Sequence, residues 1–156
     1  MRRGDPAMFL GYWNAPEATA QKFRGPWMTT GDLGVADRDG YVRFLGRMDD
    51  VITSAGYRIG PGEIEDCLLT HPAVALAAAV GKPDPVRTEI VKAYLVLKPG
   101  FAPSDTLAGE IRRHVRERLS AHEYPREVAF VDEMPLTTSG KVIRRVFREA
   151  ARREAE

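Results

Sequence analysis

The sequence contains few of the residues that build disulfides and metal sites. Its 156 residues include one cysteine, Cys67, which excludes an internal disulfide and fits a reducing compartment. The three histidines, His71, His114 and His122, show no ligand spacing relative to one another or to Cys67. We therefore expect no metal site built from these residues. No Ser-His-Asp arrangement can be argued from the chain either.

Long apolar runs and an excess of charge of one sign are also absent. No apolar segment approaches the ~20 residues that span a bilayer, and residues 1–6 lack the apolar core of a secretion signal. With 23 basic and 22 acidic side chains, bulk charge gives no reason to expect nucleic acid or a membrane surface as a partner. We expect a cytoplasmic protein in which any cationic site is local.

Residues 1–48 contain turn formers and aromatic residues but little helical periodicity. The sequence Asp37-Arg38-Asp39-Gly40, between residues 33–36 and 41–45, is typical of a hairpin. A short helix is predicted over residues 16–23, because Asn14 or Pro16 can start it. The segment has too few long apolar elements for a core of its own. We interpret it as the incomplete, β-rich end of a larger domain.

Residues 49–156 are predicted to form a second domain, with a boundary near Met48 and Asp49. Strands are expected at 50–54, 74–80, 90–97 and 128–131. Helices are expected at 61–70, from 104 or 105 to 119, and at 143–150, the last with Ile143, Val146, Phe147 and Ala150 on one face. The predicted fold class is α+β. A mostly antiparallel sheet of three to four strands is flanked by helices in a two-layer packing.

The loop at residues 135–141 gives the strongest indication of chemistry. It reads Pro-Leu-Thr-Thr-Ser-Gly-Lys and leads directly into the last predicted helix. Small residues on such a loop let Lys141 reach a phosphate or a carboxylate without steric obstruction. Alone, this pattern is weak, and it gains force from motifs upstream.

Two acidic motifs lie near the expected domain boundary. Asp32, after Thr30-Gly31, could accept hydrogen bonds from the vicinal hydroxyls of a ribose, or it could be a turn aspartate. Arg47 could bind ribose or phosphate oxygens, or it could be a surface arginine paired with Asp49 or Asp50. An aspartate pair at the end of an element could also mark a hinge.

A third motif, residues 54–58, reads Ser-Ala-Gly-Tyr-Arg. Gly56 would let the backbone pass close to a ligand and Arg58 could stabilise phosphate charge, or the segment could be a tight turn before a helix. Glu63 and Glu65 are interpreted as residues that favour the start of that helix. The arginine-rich C-terminal segment is interpreted as a solvated helix face rather than a nucleic-acid site.

Together, these segments resemble the AMP-forming acyl-CoA synthetases, in the superfamily that includes peptide-synthetase adenylation domains and luciferases. Segment 9–19 is similar to the stretch that leads to the family's Thr-Gly-Asp, and segments 27–33, 46–65 and 135–141 match three signature motifs in order and at the usual separations. Segments 51–61, 83–87 and 124–126 resemble the medium-chain branch. Many relatives carry lysine where this chain has Thr53, which favours the acetyl-like and medium-chain branches.

The resemblance implies a two-step reaction in which a carboxylic acid and ATP give acyl-AMP and pyrophosphate, and the CoA thiol then displaces AMP. Magnesium normally accompanies the ATP phosphates. The resemblance assigns Asp32 and Arg47 to the ribose, Asp49 to a hinge, and Lys141 to the carboxylate and α-phosphate. After a domain rotation, Ala55, Gly56 and Tyr57 would line the pantetheine channel, with Arg58 near phosphate. It also associates Arg87, Tyr124 and Arg126 with CoA.

The Ser/Thr/Gly-rich phosphate loop of these enzymes does not occur in the chain. We therefore expect the 156 residues to be the C-terminal portion of such an enzyme and to form no acyl-CoA alone. The resemblance leaves two alternatives open. One is an adenylation domain that loads a carrier protein. The other is a non-catalytic binding module that self-associates through residues 1–48.

Overall fold

The computed structural model describes residues 2–156, apart from the side chain of Leu45. The chain divides after Met48 into two compact units, Met1–Met48 and Asp49–Glu156. Each unit has its own secondary structure, and the larger second unit contains the buried core.

The first unit is built from one short helix and two small hairpins. Helix α1 covers Pro16–Gln21 and has a proline at its start, as predicted. Strands β1 (Phe23–Arg24) and β2 (Trp27–Met28) form one antiparallel pair. Strands β3 (Asp32–Ala36) and β4 (Val42–Arg47) form the other, which confirms the hairpin predicted around residues 37–40.

The turn of the second hairpin shows why the sequence predicted it. The Asp37 carboxylate accepts hydrogen bonds from the backbone N–H groups of Asp39 and Tyr41. Gly40 has a φ of +87°, a conformation that glycine adopts without steric cost. The side chain of an aspartate and a left-handed glycine therefore close the turn locally.

The second unit is organised around one five-stranded sheet. Strand order is β6 (Tyr57–Ile59), β5 (Ile52–Ser54), β8 (Thr88–Leu97), β7 (Val74–Asp84), and β9 (Glu127–Phe130) also pairs with β8. Only the β8–β9 pair is parallel among the pairings described for this sheet. The sheet is mostly antiparallel, as expected, and has one more strand than the three to four predicted, because β6 is too short to give a periodic pattern.

Three helices pack on this sheet: α2 (Pro61–Leu69), α3 (Asp105–Arg116) and α4 (Arg144–Arg153). The N-cap of α3 is Ser104, whose hydroxyl accepts a hydrogen bond from the Leu107 N–H at 3.1 Å. Leu107, Ile111 and Val115, which recur at helical spacing, form the buried face of α3, and the helix ends at Arg116, before the expected residue 119.

Strand β7 contributes to two separate cores. Ala77 and Ala79 pack in one core with residues of α2 and α3, whereas the alternate residues Ala78 and Val80 pack in another with Phe147 of α4. Side chains that alternate along a strand point to opposite faces of the sheet. Helices therefore cover both faces, so the two-layer packing expected from the sequence is replaced by three layers.

The buried face of α4 differs from the prediction. The helix starts at Arg144 and buries Phe147 and Ala151, while Val146 is 43% exposed. Tyr94 of β8 stacks on Phe147 with ring centroids 4.6 Å apart. The buried face of α4 thus follows Phe147 and Ala151, one turn apart, instead of the four residues that the sequence predicted.

The C-terminal end of α4 is joined to the sheet by charged side chains. Glu154 accepts hydrogen bonds from Lys92 and from the Tyr94 hydroxyl, and Lys82 Nζ lies 2.8 Å from Glu127 Oε2. The hydrogen bond from Lys92 lowers the pKa of Glu154. Burial, with the nearby Glu154 charge, raises the pKa of Tyr94 to about 12.

Two histidines pack against each other beside α2. The rings of His71 and His114 meet edge to face at 5.1 Å, and His114 Nε2 lies 2.7 Å from the Thr70 hydroxyl. His71 Nδ1 accepts a hydrogen bond from the Ala73 N–H, so this nitrogen carries no proton. Burial lowers the pKa of both histidines, with Arg118 contributing to the shift of each.

We expect this pair to make the second unit less stable in mild acid. The unfolded chain takes up protons near pH 6.5, whereas the folded pair resists protonation. Stability is therefore present above pH 6.5 and is lost as pH falls below it. The double variant His71→Asn/His114→Gln should show a smaller drop in urea midpoint between pH 7.5 and pH 5 than the parent chain. An equal drop in both proteins would contradict this.

Candidate functional site

Asp32 and Arg47 face each other across the β3–β4 hairpin. The two residues are direct partners in the antiparallel register, and Arg47 Nη1 lies 3.4 Å from Asp32 Oδ1. The same nitrogen donates to the Thr30 carbonyl at 3.1 Å. Both side chains are more than two-fifths exposed, so they can reach a ligand. The structure pairs Arg47 with Asp32, a contact that the sequence analysis did not consider.

Gly31 makes this close approach possible. It has a φ of +82°, and a Cβ at this position would lie 3.1 Å from Arg47 Nη2. The Gly31 carbonyl also accepts a hydrogen bond from the Met48 N–H at 2.8 Å. A residue with a side chain would be strained here and would displace the guanidinium.

The two aspartates that follow lie in the second unit and contact α4. Arg148 Nη2 lies 3.9 Å from Asp49 Oδ2. Asp50 accepts hydrogen bonds from Arg144 and Arg148. The expected solvated arginine face of α4 is therefore wrong for these two arginines, whose side chains are about one-quarter and one-fifth exposed.

The segment containing Ala55 and Gly56 is the two-residue turn between β5 and β6. Both residues have positive φ, +49° and +85°, as the favoured hairpin turns require. The Ala55 N–H donates to the Arg87 carbonyl at 2.9 Å. The structure thus places Arg87 beside the turn, and the Asp84 carboxylate accepts a hydrogen bond from the Arg87 N–H at 2.8 Å.

Tyr57 and Arg58 follow this turn on β6, and both are exposed. The Tyr57 ring stacks on the His122 ring with centroids 4.0 Å apart and planes 10° from parallel. The sequence analysis did not predict this contact of His122, because Tyr57 is distant from it along the chain. The stacked pair joins β6 to the segment that carries Tyr124.

Tyr124 lies between arginines. The guanidinium of Arg126 lies 5.3 Å from the ring centroid and that of Arg116 lies 5.6 Å away, both in the range of cation–π contacts. A groove beside this ring is lined by Gly109, Arg112, Arg113, Arg116 and Tyr124. The α3 arginines were missed by the sequence analysis, which treated α3 as an amphipathic helix; their spacing around an aromatic ring is visible only in three dimensions.

Lys141 is exposed at the end of a loop with its own hydrogen bonds. The Lys141 N–H donates to the Thr137 hydroxyl at 3.0 Å, and the Thr137 N–H donates to the Lys141 carbonyl at 2.7 Å. Gly140, with a φ of +78°, allows the chain to turn between them. The small residues therefore fix the backbone of the loop and leave the lysine side chain in solvent.

Glu65 is not the helix-start residue that the sequence suggested. The residue is buried, and its carboxylate accepts hydrogen bonds from the Ala79 N–H at 2.9 Å and from Arg144 Nε at 2.7 Å. The hydrogen bond to Glu65 raises the pKa of Arg144. Only Glu63 of the two glutamates lies in the first turn of α2.

The predicted residues thus fall into three places. Asp32 and Arg47 lie together in the first unit. In the second unit, Ala55, Gly56 and Arg87 are joined by a backbone contact, and Tyr57 packs on the residue two positions before Tyr124. Lys141 is one of the residues that line an open cleft between α2 and β7, and Glu65 and Arg144 line it too.

Within residues 2–156, no group of three or more acidic, histidine or cysteine side chains is arranged to hold a metal ion. None of the helices in this described range has the length and apolar character to cross a bilayer.

The family model for the AMP-binding enzyme C-terminal domain matches residues 63–141. The acetyl-coenzyme A synthetase of Bacillus subtilis is 48% identical over 149 residues, covering 95% of this chain and 26% of that protein. The mitochondrial human acyl-coenzyme A synthetase ACSM1 is 47% identical over 92% of this chain and 25% of its own length.

A solved structure agrees with these sequence relatives. ATP-bound MatB from Rhodopseudomonas palustris aligns with a TM-score of 0.80 at 33% identity, over all of this chain and 32% of that one. The chain thus spans about a quarter of the length of the two curated relatives above. With its fold, its motifs and the match over residues 63–141 in agreement, this chain belongs to the AMP-binding enzyme C-terminal domain family.

Proposed function

We propose that this chain acts as the C-terminal portion of an AMP-forming acyl-CoA synthetase. The observation that carries the proposal is the exposed Lys141 on a hydrogen-bonded loop, at the end of the family match. The two curated relatives named above are an acetyl-coenzyme A synthetase and an acyl-coenzyme A synthetase. The substrates would be a carboxylic acid, with a fatty acid favoured, together with ATP and CoA.

In the first step, a carboxylate oxygen attacks the α-phosphorus of ATP and pyrophosphate leaves. Lys141 would neutralise negative charge on the carboxylate and the α-phosphate, since catalysis at phosphorus depends on positioning and charge stabilisation. Asp32 would accept hydrogen bonds from the ribose hydroxyls, and Arg47 would be aligned by its contact with Asp32. Mg²⁺ would be held through ATP and residues outside this chain.

In the second step, the CoA sulfur attacks the acyl carbonyl, AMP leaves, and the thiol proton is released. Asp49 would be the hinge about which the second unit turns between the steps. The Ala55–Gly56 turn would then line the pantetheine channel with Tyr57, because its small residues leave the backbone open to a thin ligand. Arg58 would lie near phosphate.

The nucleotide end of CoA would lie on the arginines around Tyr124. An aromatic ring can stack on adenine, and guanidinium groups suit phosphate oxygens. Arg126 and Arg116 flank this ring, and Arg112 and Arg113 extend the same groove. Arg87 would contribute from beside the Ala55–Gly56 turn.

ATP–pyrophosphate exchange with a panel of carboxylic acids tests the proposal. We expect no exchange from the 156-residue chain alone, because the Ser/Thr/Gly-rich phosphate loop does not occur in it. We expect acid-dependent exchange from a longer polypeptide in which this chain follows the remaining part of such a synthetase. Clear exchange by the 156-residue chain alone would contradict the expectation that it needs the remaining part of a synthetase for activity. Transfer to a carrier protein but not to CoA would favour an adenylation domain instead.

A further inference from the structure

Arg144 lies three residues after Lys141 and reaches carboxylates on two other segments. Its Nε donates to Glu65 Oε1 at 2.7 Å, its Nη2 donates to Glu65 Oε2, and its Nη1 donates to Asp50 Oδ2 at 3.1 Å. A planar guanidinium that meets one carboxylate with two nitrogens has a fixed orientation. The first residue of α4 is therefore held in one direction.

Glu65 makes this attachment firm because it is itself buried. The side chain is 11% exposed, and its Oε1 also accepts a hydrogen bond from the Ala79 N–H of β7 at 2.9 Å. One carboxylate thus joins α2, β7 and α4. Removing one partner from a buried ion pair leaves an uncompensated charge, which is strongly unfavourable.

Asp50 extends the network to the start of the second unit. It accepts a hydrogen bond from Arg148, one helical turn after Arg144, and Arg148 also lies 3.9 Å from Asp49. The residues on both sides of the Asp49–Asp50 peptide are therefore in contact with α4, which follows the lysine loop.

The lysine loop needs an external attachment of this kind. Its hydrogen bonds between Thr137 and Lys141 are internal and lie at the surface, so by themselves they neither set the direction of the loop nor protect it from local opening. Lys141 lines the same cleft as Glu65 and Arg144. We infer that Glu65 and Arg144 are positioning residues that aim the Lys141 loop and, with Asp50, make it one rigid piece with the start of the second unit.

The contacts of Asp50 with α4 limit where the chain can bend in the proposed domain rotation. If Asp50 moves with α4, the backbone change that turns the unit lies on the N-terminal side of Asp50. The significance of aiming Lys141 rests on the function proposed above. The attachment can be measured by a method that needs no enzymatic activity. The loop can therefore prove to be unattached in an enzyme that forms acyl-adenylate, and it can prove to be attached in a protein that forms none.

Amide hydrogen exchange by NMR on the 156-residue chain tests the inference. The reporters are the N–H groups of Thr137, Gly140 and Lys141, which all donate within the loop. In Glu65→Gln and in Arg144→Lys, we expect these amides to exchange about tenfold faster, with smaller changes in β7 and β8. The matched control is Arg145→Gln, since Arg145 is 76% exposed and pairs with Glu149 on the same helix.

The double variant Glu65→Gln/Arg144→Met separates positioning from simple stabilisation. It leaves no unpaired charge at this pair, so the urea midpoint should recover relative to Arg144→Met alone, whereas the loop amides should stay fast. If loop protection recovers together with the midpoint, or if loop and core amides always change by the same factor, the inference is overturned.

Asp50→Asn provides a second route should the Glu65 and Arg144 variants not fold. It weakens one end of the network and leaves the Glu65–Arg144 contact in place. Loop amides that exchange faster by a larger factor than the amides of β7 and β8 support the inference. Unchanged loop exchange overturns it.

Discussion

Replacing Lys141 by alanine in an enzyme that contains this chain should slow acyl-adenylate formation by about 10²–10³-fold, the usual effect of removing one charge-stabilising group at a reacting centre. The lysine is exposed, and the loop backbone is held by hydrogen bonds that do not involve its side chain. The substitution should therefore remove the cation without changing the fold. ATP–pyrophosphate exchange measures the loss.

The second half-reaction distinguishes this role from general damage. If Lys141 is withdrawn before CoA reacts, thioester formation from supplied acyl-AMP should stay within a few-fold of the parent rate. Lys98→Ala is the matched control, because Lys98 is also an exposed lysine just after an element, at the end of β8. Equal losses in both half-reactions would show that Lys141 does not act specifically in adenylation.

The elements that local patterns determine were predicted well. The β3–β4 hairpin follows from a turn closed by Asp37 and Gly40. The inward face of α3 follows from apolar residues at helical spacing. These features depend on residues within a few positions of one another, which is the range over which propensity and periodicity act.

Features that depend on distant pairs could not be predicted in this way. Arg144 is 79 residues from Glu65 and 94 from Asp50, so no local pattern marks their contact. The arginines of α4 consequently appeared as a solvated face. The second layer of helices was missed for the same reason, since an apolar run such as that of β7 does not say which elements cover each face.

The site showed the same division. The loop of Lys141 and the turn at Ala55 and Gly56 are local structures whose small residues are visible in the sequence. The stacking of Tyr57 on His122 arises from the fold, as does the group of arginines around Tyr124. The sequence thus predicted the local structure of these segments but not the partners that orient them, and their functional roles stay predictions.

The stability of the second unit should depend strongly on Leu68. This residue of α2 is completely buried in the core that α2 and α3 form with the sheet. Leu68→Ala removes buried methyl and methylene groups and leaves a cavity, so we expect a loss of about 2–5 kcal/mol in the free energy of unfolding. Urea unfolding followed by far-ultraviolet circular dichroism measures it, because three of the four helices described lie in this unit.

The next residue of the same helix gives a control with the same side chain. Leu69 is the last residue of α2 and is 43% exposed. Leu69→Ala should therefore change the free energy of unfolding by much less, within about 0.5 kcal/mol as for most surface substitutions. Both variants replace leucine by alanine in one helix, so the change in helix propensity is nearly the same in each. The difference between their free energies of unfolding therefore reports the burial of Leu68. Similar losses for the two variants would contradict the placement of Leu68 in the core and the orientation of α2 on the sheet.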